Sequence, residues 1–178
     1  MMREITHTTT LPFSAHTVFD WFKNLDENYI KWHPVAHQNF EWLSQKPIGE
    51  GSLFYFVENI KGHQHKITMR ITEYREDAKL SFDSVRIQVY SRFLPTWLMS
   101  LFISLFKIKL HITHKFESNP SEFVTTISTY QTMGSYMPVC GTLVDWVIES
   151  FIFPSQDYQD HVAEEGEYMK QDLESKYR

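Results

Sequence analysis

His161 and Glu165 stand four residues apart in HVAEEGEYMK, and on a helix that spacing stacks both side chains on one face. A neutral imidazole and a carboxylate held this way can ligate one divalent cation, as the two histidines of H-E-x-x-H do. Such pairs also occur on solvated helix faces, so the other donors in the chain decide the matter. His33 and His37 lie in HPVAH, and Glu58 lies in the strand-like run FYFVENI. Two imidazoles and two carboxylates form a four-ligand set suited to Zn2+, and Fe2+ or Mn2+ accept the same donors. Three rivals stay open at this point. His33 competes with His37, since HP-x-x-H offers both about one turn apart. His65 competes with Glu58, and Glu164 competes with Glu165 at i+3.

These residues need elements to hold them. REITHTTT, residues 3 to 10, is β-branched and reads as a first strand. LPFSAHTVFDWFKNL then predicts a helix, with Ser14 as N-cap and Val18, Phe19, Phe22 and Leu25 at helical spacing. Asp26 or Asn28 starts a second short helix expected to carry Tyr29, Trp32, His33 and His37, with Pro34 at an N1 position or a kink. Strands follow over residues 39 to 44, in GSLFYFVENI, in HQHKITMRITEY and over residues 79 to 91. His65, Ile67, Met69 and Ile71 share one face of the third of these. In KIKLHITHKFES the same alternation turns His114 inward with Leu110, Ile112 and Phe116, and His111 outward with the lysines. EFVTTISTYQT is the last strand, after a turn at Asn119-Pro120. A helical stretch from about residue 140 to 176 closes the chain, interrupted at Pro154. Its apolar stripe takes in Tyr158, His161, Val162, Glu165 and Met169, so the His/Glu pair faces the sheet. A carboxylate facing a core needs a partner, and a cation supplies one.

The order of elements over the whole chain is α+β: a helix-grip arrangement, in which a curved antiparallel β-sheet wraps a long C-terminal helix and leaves an internal cavity. By that order, and by the opening TTTLPFSAHTVFDWFKNLDENYIKWHP, the chain resembles the START/Bet v 1-like (SRPBCC, polyketide cyclase-like) superfamily. Within it the chain looks like the zinc-dependent diacetylphloroglucinol/phloretin hydrolase branch, which cleaves the carbon–carbon bond between an acyl group and a phenol ring. That resemblance implies zinc held by His37, Glu58, His161 and Glu165. It implies Tyr29, His114 and Tyr130 beside the substrate as catalytic groups. The chain departs from those hydrolases in being shorter, and in a shorter gap from His37 to Glu58. A metal-free carrier or sensor of a small hydrophobic ligand is the alternative that the fold equally accommodates.

Bulk properties narrow the partners. The 178 residues suit one domain spanning 1 to 178, and 16% aromatic content suits a cavity for a small hydrophobic or aromatic molecule. A net charge of −5 without any basic block argues against nucleic acid. The apolar run FLPTWLMSLFISLF, residues 93 to 106, is shorter than the ~20 residues of a bilayer span and reads as a buried insert or a lid. A single cysteine, Cys140, and a start without an apolar leader segment suggest a reducing, cytoplasmic setting. No nucleophile elbow, phosphate loop or dinucleotide fingerprint occurs.

Overall fold

A run of seven strands, each facing its neighbour antiparallel, makes one sheet in the order β1-β7-β6-β5-β4-β3-β2. In this computed structural model the described residues are 2–91, 94–119, 124–135, 141–152 and 154–177; Cys140 and the turn residue Pro120 lie outside them. The strands are β1 (Met2–Leu11), β2 (His37–Trp42), β3 (Leu53–Ile60), β4 (His63–Arg75), β5 (Lys79–Ser91), β6 (Ile108–Asn119) and β7 (Val124–Ser135). The helices are α1 (Ala15–Lys23), α2 (Leu25–Trp32), α3 (Thr96–Leu105), α4 (Gly141–Val147) and α5 (Ser155–Tyr177). A π-helical turn, Ile148–Ile152, joins the last two.

Each element follows from local chemistry. Ser14 caps α1, its hydroxyl accepting from the Thr17 N–H at 3.2 Å. Asn24 closes α1 and opens α2, so α2 starts at Leu25 rather than at Asp26 or Asn28. It ends at Trp32 because His33 precedes a proline, which disfavours helical backbone, and His33 sits at φ −153°, ψ 84°. His37 is therefore the first residue of β2 and not a helical residue. The β3–β4 hairpin turns through Lys61 and Gly62, both at positive φ (47° and 90°), the signature of a two-residue I′ turn. That turn fixes the register and sets Glu58 opposite His65, both facing inward. Alternation along β4 buries His65, Ile67, Met69 and Ile71 as expected, and along β6 it buries His114 while half-exposing His111.

The long pair β4 and β5 carries register shifts at Thr68/Met69 and Ile71/Glu73, which let the strands bend around α5. The apolar insert forms α3, which packs on β5 through Met99 and Ile103. Its opposite side leaves Trp97, Leu101 and Leu105 exposed, and none of its side chains enters the cavity wall. No helix among the described residues is long and apolar enough to cross a membrane.

The final helix is fastened along its C-terminal half. Near its C-terminus Asp172 accepts from the Trp21 indole at 2.8 Å, and Lys176 donates to the buried Asn28 side chain at 2.8 Å. On its other side Gly166 lies against β1, where an added Cβ would fall 2.2 Å from Thr9 Oγ1 and 3.1 Å from its Cγ2. Gly166→Ala is expected to lower stability by about 1–3 kcal/mol despite the better helix propensity of alanine. Thr9→Ala in the same chain removes both clashing atoms and should recover most of the loss. Thermal unfolding of the two single variants and the double variant checks this, and a Gly166→Ala chain more stable than the parent would refute it.

Candidate metal centre

Four side chains from three elements converge where α5 passes over β2 and β3. His37 opens β2, Glu58 sits on the inner face of β3, and His161 and Glu165 come from successive turns of α5. All four are buried. His37, Glu58 and His161 each place a donor atom within 4.8 Å of one another. His37 Nε2 lies 3.3 Å from His161 Nε2 and 3.1 Å from Glu165 Oε1. His161 Nε2 lies 3.4 Å from Glu165 Oε1 and 3.7 Å from Glu58 Oε2.

The partners around this cluster fix which atoms face its centre. His37 Nδ1 donates to the Tyr29 carbonyl at 2.7 Å, because a carbonyl can only accept. Its Nε2 faces His161 Nε2 and Glu165 Oε1. Glu58 Oε1 accepts from the Tyr158 hydroxyl at 3.0 Å, which leaves Oε2 facing inward. His161 Nε2 thus has two carboxylate oxygens around it, Glu165 Oε1 and Glu58 Oε2, and one N–H can serve only one of them well.

Those distances fit a metal. In a tetrahedron with centre-to-donor bonds of about 2.0–2.1 Å, the edges are about 3.3–3.4 Å, and four of the six edges among these donors lie at 3.1–3.7 Å. The three donors that all lie within 4.8 Å of one another are those of His37, Glu58 and His161. The donor chemistry fits too: two imidazoles, two carboxylates and outer partners that orient them.

The rivals are placed elsewhere. His33 and Glu164 pair with each other at 2.8 Å beside the cluster, with the His33 ring stacked 4.5 Å from that of His161. His33 Nδ1 accepts from the Ala36 N–H at 3.2 Å, so its Nε2 carries the proton given to Glu164. His65 donates from Nε2 to the Ile152 carbonyl at 2.7 Å, a carbonyl at the end of the π-helical turn.

Electrostatics follow from burial and proximity. Burial disfavours charge on both members of the central pair, yet each holds the other ionised. Against its desolvation, the carboxylates of Glu165 and Glu58 raise His161 from 6.5 to about 10. Against the same penalty, His161 and His37 hold Glu165 well below the usual carboxylate range, and His161 lowers Glu58. Burial lowers His65 and lowers His114 to about 4, so His114 is neutral.

Glu58, His161 and Glu165 line a cavity walled by aromatic rings, including Phe22, Trp32, Phe54 and Phe82. The space is narrow, with a volume of ≈ 50 Å³, room for roughly four waters. A flat organic ligand would fit only if the rings that line it moved. Tyr29 stacks on His37, centroids 4.0 Å apart and planes at 6°, and its buried hydroxyl makes no hydrogen bond among the described residues. Burial, with Glu58 and Glu165 nearby, raises the Tyr29 phenol well above 10, so it stays an O–H donor. His114 reaches the same cavity, with Nδ1 2.9 Å from Thr129 Oγ1.

Tyr130 does not belong with them. Strand pleating turns Thr129 and Gln131 inward and Tyr130 outward, where Lys115 lies over its ring at 4.8 Å. Gln131 is the cavity residue of that stretch. Gln131 went unrecognised in the sequence, though alternation carried through from Ile127 places it inward. Tyr158 was legible as part of the inward stripe of the last helix, but its hydroxyl contact with Glu58 was not.

No family model matches the chain, and no curated protein matches it. Solved structures do. The chain is similar to the Zhui aromatase/cyclase from Streptomyces sp. R1128, with 12% identity over 100% of this chain and 97% of that one, at a TM-score of 0.71. It is similar to the ginseng major latex-like protein 151 from Panax ginseng, with 11% identity over 97% of each chain and a TM-score of 0.67. It is also similar to norcoclaurine synthase from Thalictrum flavum, solved with a transition-state analogue, with 10% identity over 100% of this chain and 98% of that one, at 0.67. At such identities the likeness establishes the fold, which is the Bet v 1/START helix-grip, and leaves the chemistry to the site.

The ion pair sets a pH profile for the metal-free chain. Glu165 contributes stability above its unfolded value of 4.5, and the contribution is lost as pH falls below it. His161 contributes fully below 6.5 and loses its share as pH rises toward about 10. The thermal midpoint of chelator-treated protein, less that of a His161→Gln/Glu165→Gln chain, should be greatest between about pH 5 and 6.5. A flat difference across pH 4 to 10 would show that the pair is not coupled.

Proposed function

We propose that the chain is a zinc-dependent hydrolase that cleaves the bond between an acyl group and the ring of a small phenolic compound held in the helix-grip cavity. The observation that carries this reading is the convergence of His37, Glu58 and His161, whose donor atoms lie within 4.8 Å of one another with Glu165 beside both histidines, buried against an aromatic cavity. These four residues would hold the metal, and Fe2+ or Mn2+ would be accepted by the same set. A zinc ion there supplies Lewis-acid polarisation of a carbonyl and a bound water acidified toward pH ~7.

The chain's own groups do the rest. The aromatic walls take the ring of the substrate by stacking and exclude bulk water. The Tyr29 hydroxyl, unpartnered and kept protonated, donates to a substrate oxygen next to the cluster. His114, kept neutral, orients a phenolic oxygen without adding charge to the cavity. Hydrolysis adds the hydroxyl of water to the acyl carbon and its proton to the ring carbon, and the products are a carboxylic acid and the free phenol.

A second reading, a metal-free carrier of a small hydrophobic ligand, is favoured by one observation. The His161 imidazolium lies between two carboxylates and neutralises one of their two charges without a metal.

Elemental analysis of the purified chain beside a His161→Ala/Glu165→Ala chain separates the two. The hydrolase requires about one zinc, iron or manganese per wild-type chain and none in the variant, with release of acetate from monoacetylphloroglucinol. Tyr29→Phe should then keep the metal and lose about 10²-fold in kcat, the usual effect of deleting one well-placed donor. Wild-type protein that binds no metal after zinc is added back is the carrier.

A further inference from the structure

We infer that the cavity wall on β7 is a hydroxyl subsite, in which the Gln131 side chain hydrogen-bonds a neutral hydroxyl on the far side of the ligand ring from the His/Glu cluster. The inference rests on reading this cavity as the ligand site, and it specifies the substrate more narrowly than that reading does.

Gln131 is 8% exposed and lines the cavity, and its Oε1 makes no hydrogen bond among the described residues. Its neighbours across the sheet are Ile112 on β6 and Ile5 on β1, which offer no polar side chain. Leucine or methionine would fill the same place without leaving an acceptor unpaired, so an amide here is a cost to folding that a ligand can remove. The Tyr29 hydroxyl and the Trp32 indole N–H are the other buried atoms of the cavity-lining residues that make no hydrogen bond among the described residues. In sheet order Gln131 on β7 stands four strands from Glu58 on β3, so the two polar groups reach the cavity from different parts of the sheet.

The chemistry of each group selects the ligand. A carboxamide both donates and accepts, as a hydroxyl does, whereas a carboxylate could use only its N–H. The two carboxylates of the cluster also disfavour an anionic ligand. The rings that line the cavity match a planar aromatic body. A fatty chain would satisfy neither Tyr29 nor Gln131. The class that satisfies both carries an oxygen on one side of an aromatic ring and a hydroxyl on the other.

The test compares 4-hydroxyacetophenone with acetophenone, which lacks only the distal hydroxyl. Binding is measured by calorimetry on wild-type, Gln131→Leu and Gln131→Met protein, each with zinc added and again after chelation, and zinc content is recorded throughout. Wild-type protein should prefer the hydroxylated compound by at least about tenfold, one hydrogen bond's share. Either substitution should bring that ratio to about one with zinc content unchanged. Equal binding of the two compounds to wild type, binding of neither, or a preference that survives in a folded Gln131 variant would overturn the inference. The two readings fail separately: a hydroxyl preference in protein that holds no zinc removes the hydrolase and leaves the subsite, and zinc without a preference does the reverse.

Discussion

Two buried carboxylates meet at one imidazole, with Glu165 Oε1 3.4 Å and Glu58 Oε2 3.7 Å from His161 Nε2, and they set the terms for everything around them. Neither Glu58 nor Glu165 could remain ionised in an aromatic interior without opposing charge, since an isolated buried carboxylate takes up a proton instead. The surrounding structure supplies compensation in layers. His37 and His161 stand innermost, the Tyr29 carbonyl orients His37, the Tyr158 hydroxyl orients Glu58, and the His33–Glu164 pair lies outside. An arrangement this connected is costly to break at one point, because each deletion leaves a charge or lone pair unanswered.

That requirement explains why such different elements meet here. The sheet must present Glu58 inward, which the I′ turn at Lys61-Gly62 secures through register. The chain must leave α2 early enough for His37 to join β2, which the proline at 34 secures. The last helix must cross at the right height, and the ties from Asp172 to Trp21 and from Lys176 to Asn28 hold its lower half against α1 and α2. The π-helical turn before it directs the Ile152 carbonyl to His65, so that a buried histidine adjacent to Glu58 is satisfied outside the cluster.

Much of this was legible in the residues. The order of elements and the inward or outward parity of β4 and β6 follow from alternation alone, because one face of each strand is buried and a slip of one residue would expose the core. His114 and His111 were separable for that reason. Tyr130 was misplaced because parity was not followed into β7, where Thr129 and Gln131 take the inner face. The choice between His33 and His37, or Glu164 and Glu165, was not legible. Adjacent or one-turn-apart donors are equivalent locally, and only the contact of His33 with Glu164 across 131 positions of chain separates them. The paired bends in β4 and β5 and the π-helical turn likewise depend on packing between distant segments.

Gly166 follows Glu165 directly and has no functional group to contribute. Its hydrogen is nevertheless what allows α5 to rest on the Thr9 side chain. A helix is stiff over so short a distance, so the depth at which this contact seats the backbone is passed on to Glu165 and, one turn earlier, to His161. Coordination bonds discriminate between ions on the scale of ~0.2 Å. The contact between a glycine and a threonine on the outer side of the helix thus works as a spacer for the centre on its inner side. Were an ion held by the cluster, its preference would follow exchanges of residues that never meet it, with every ligand left in place.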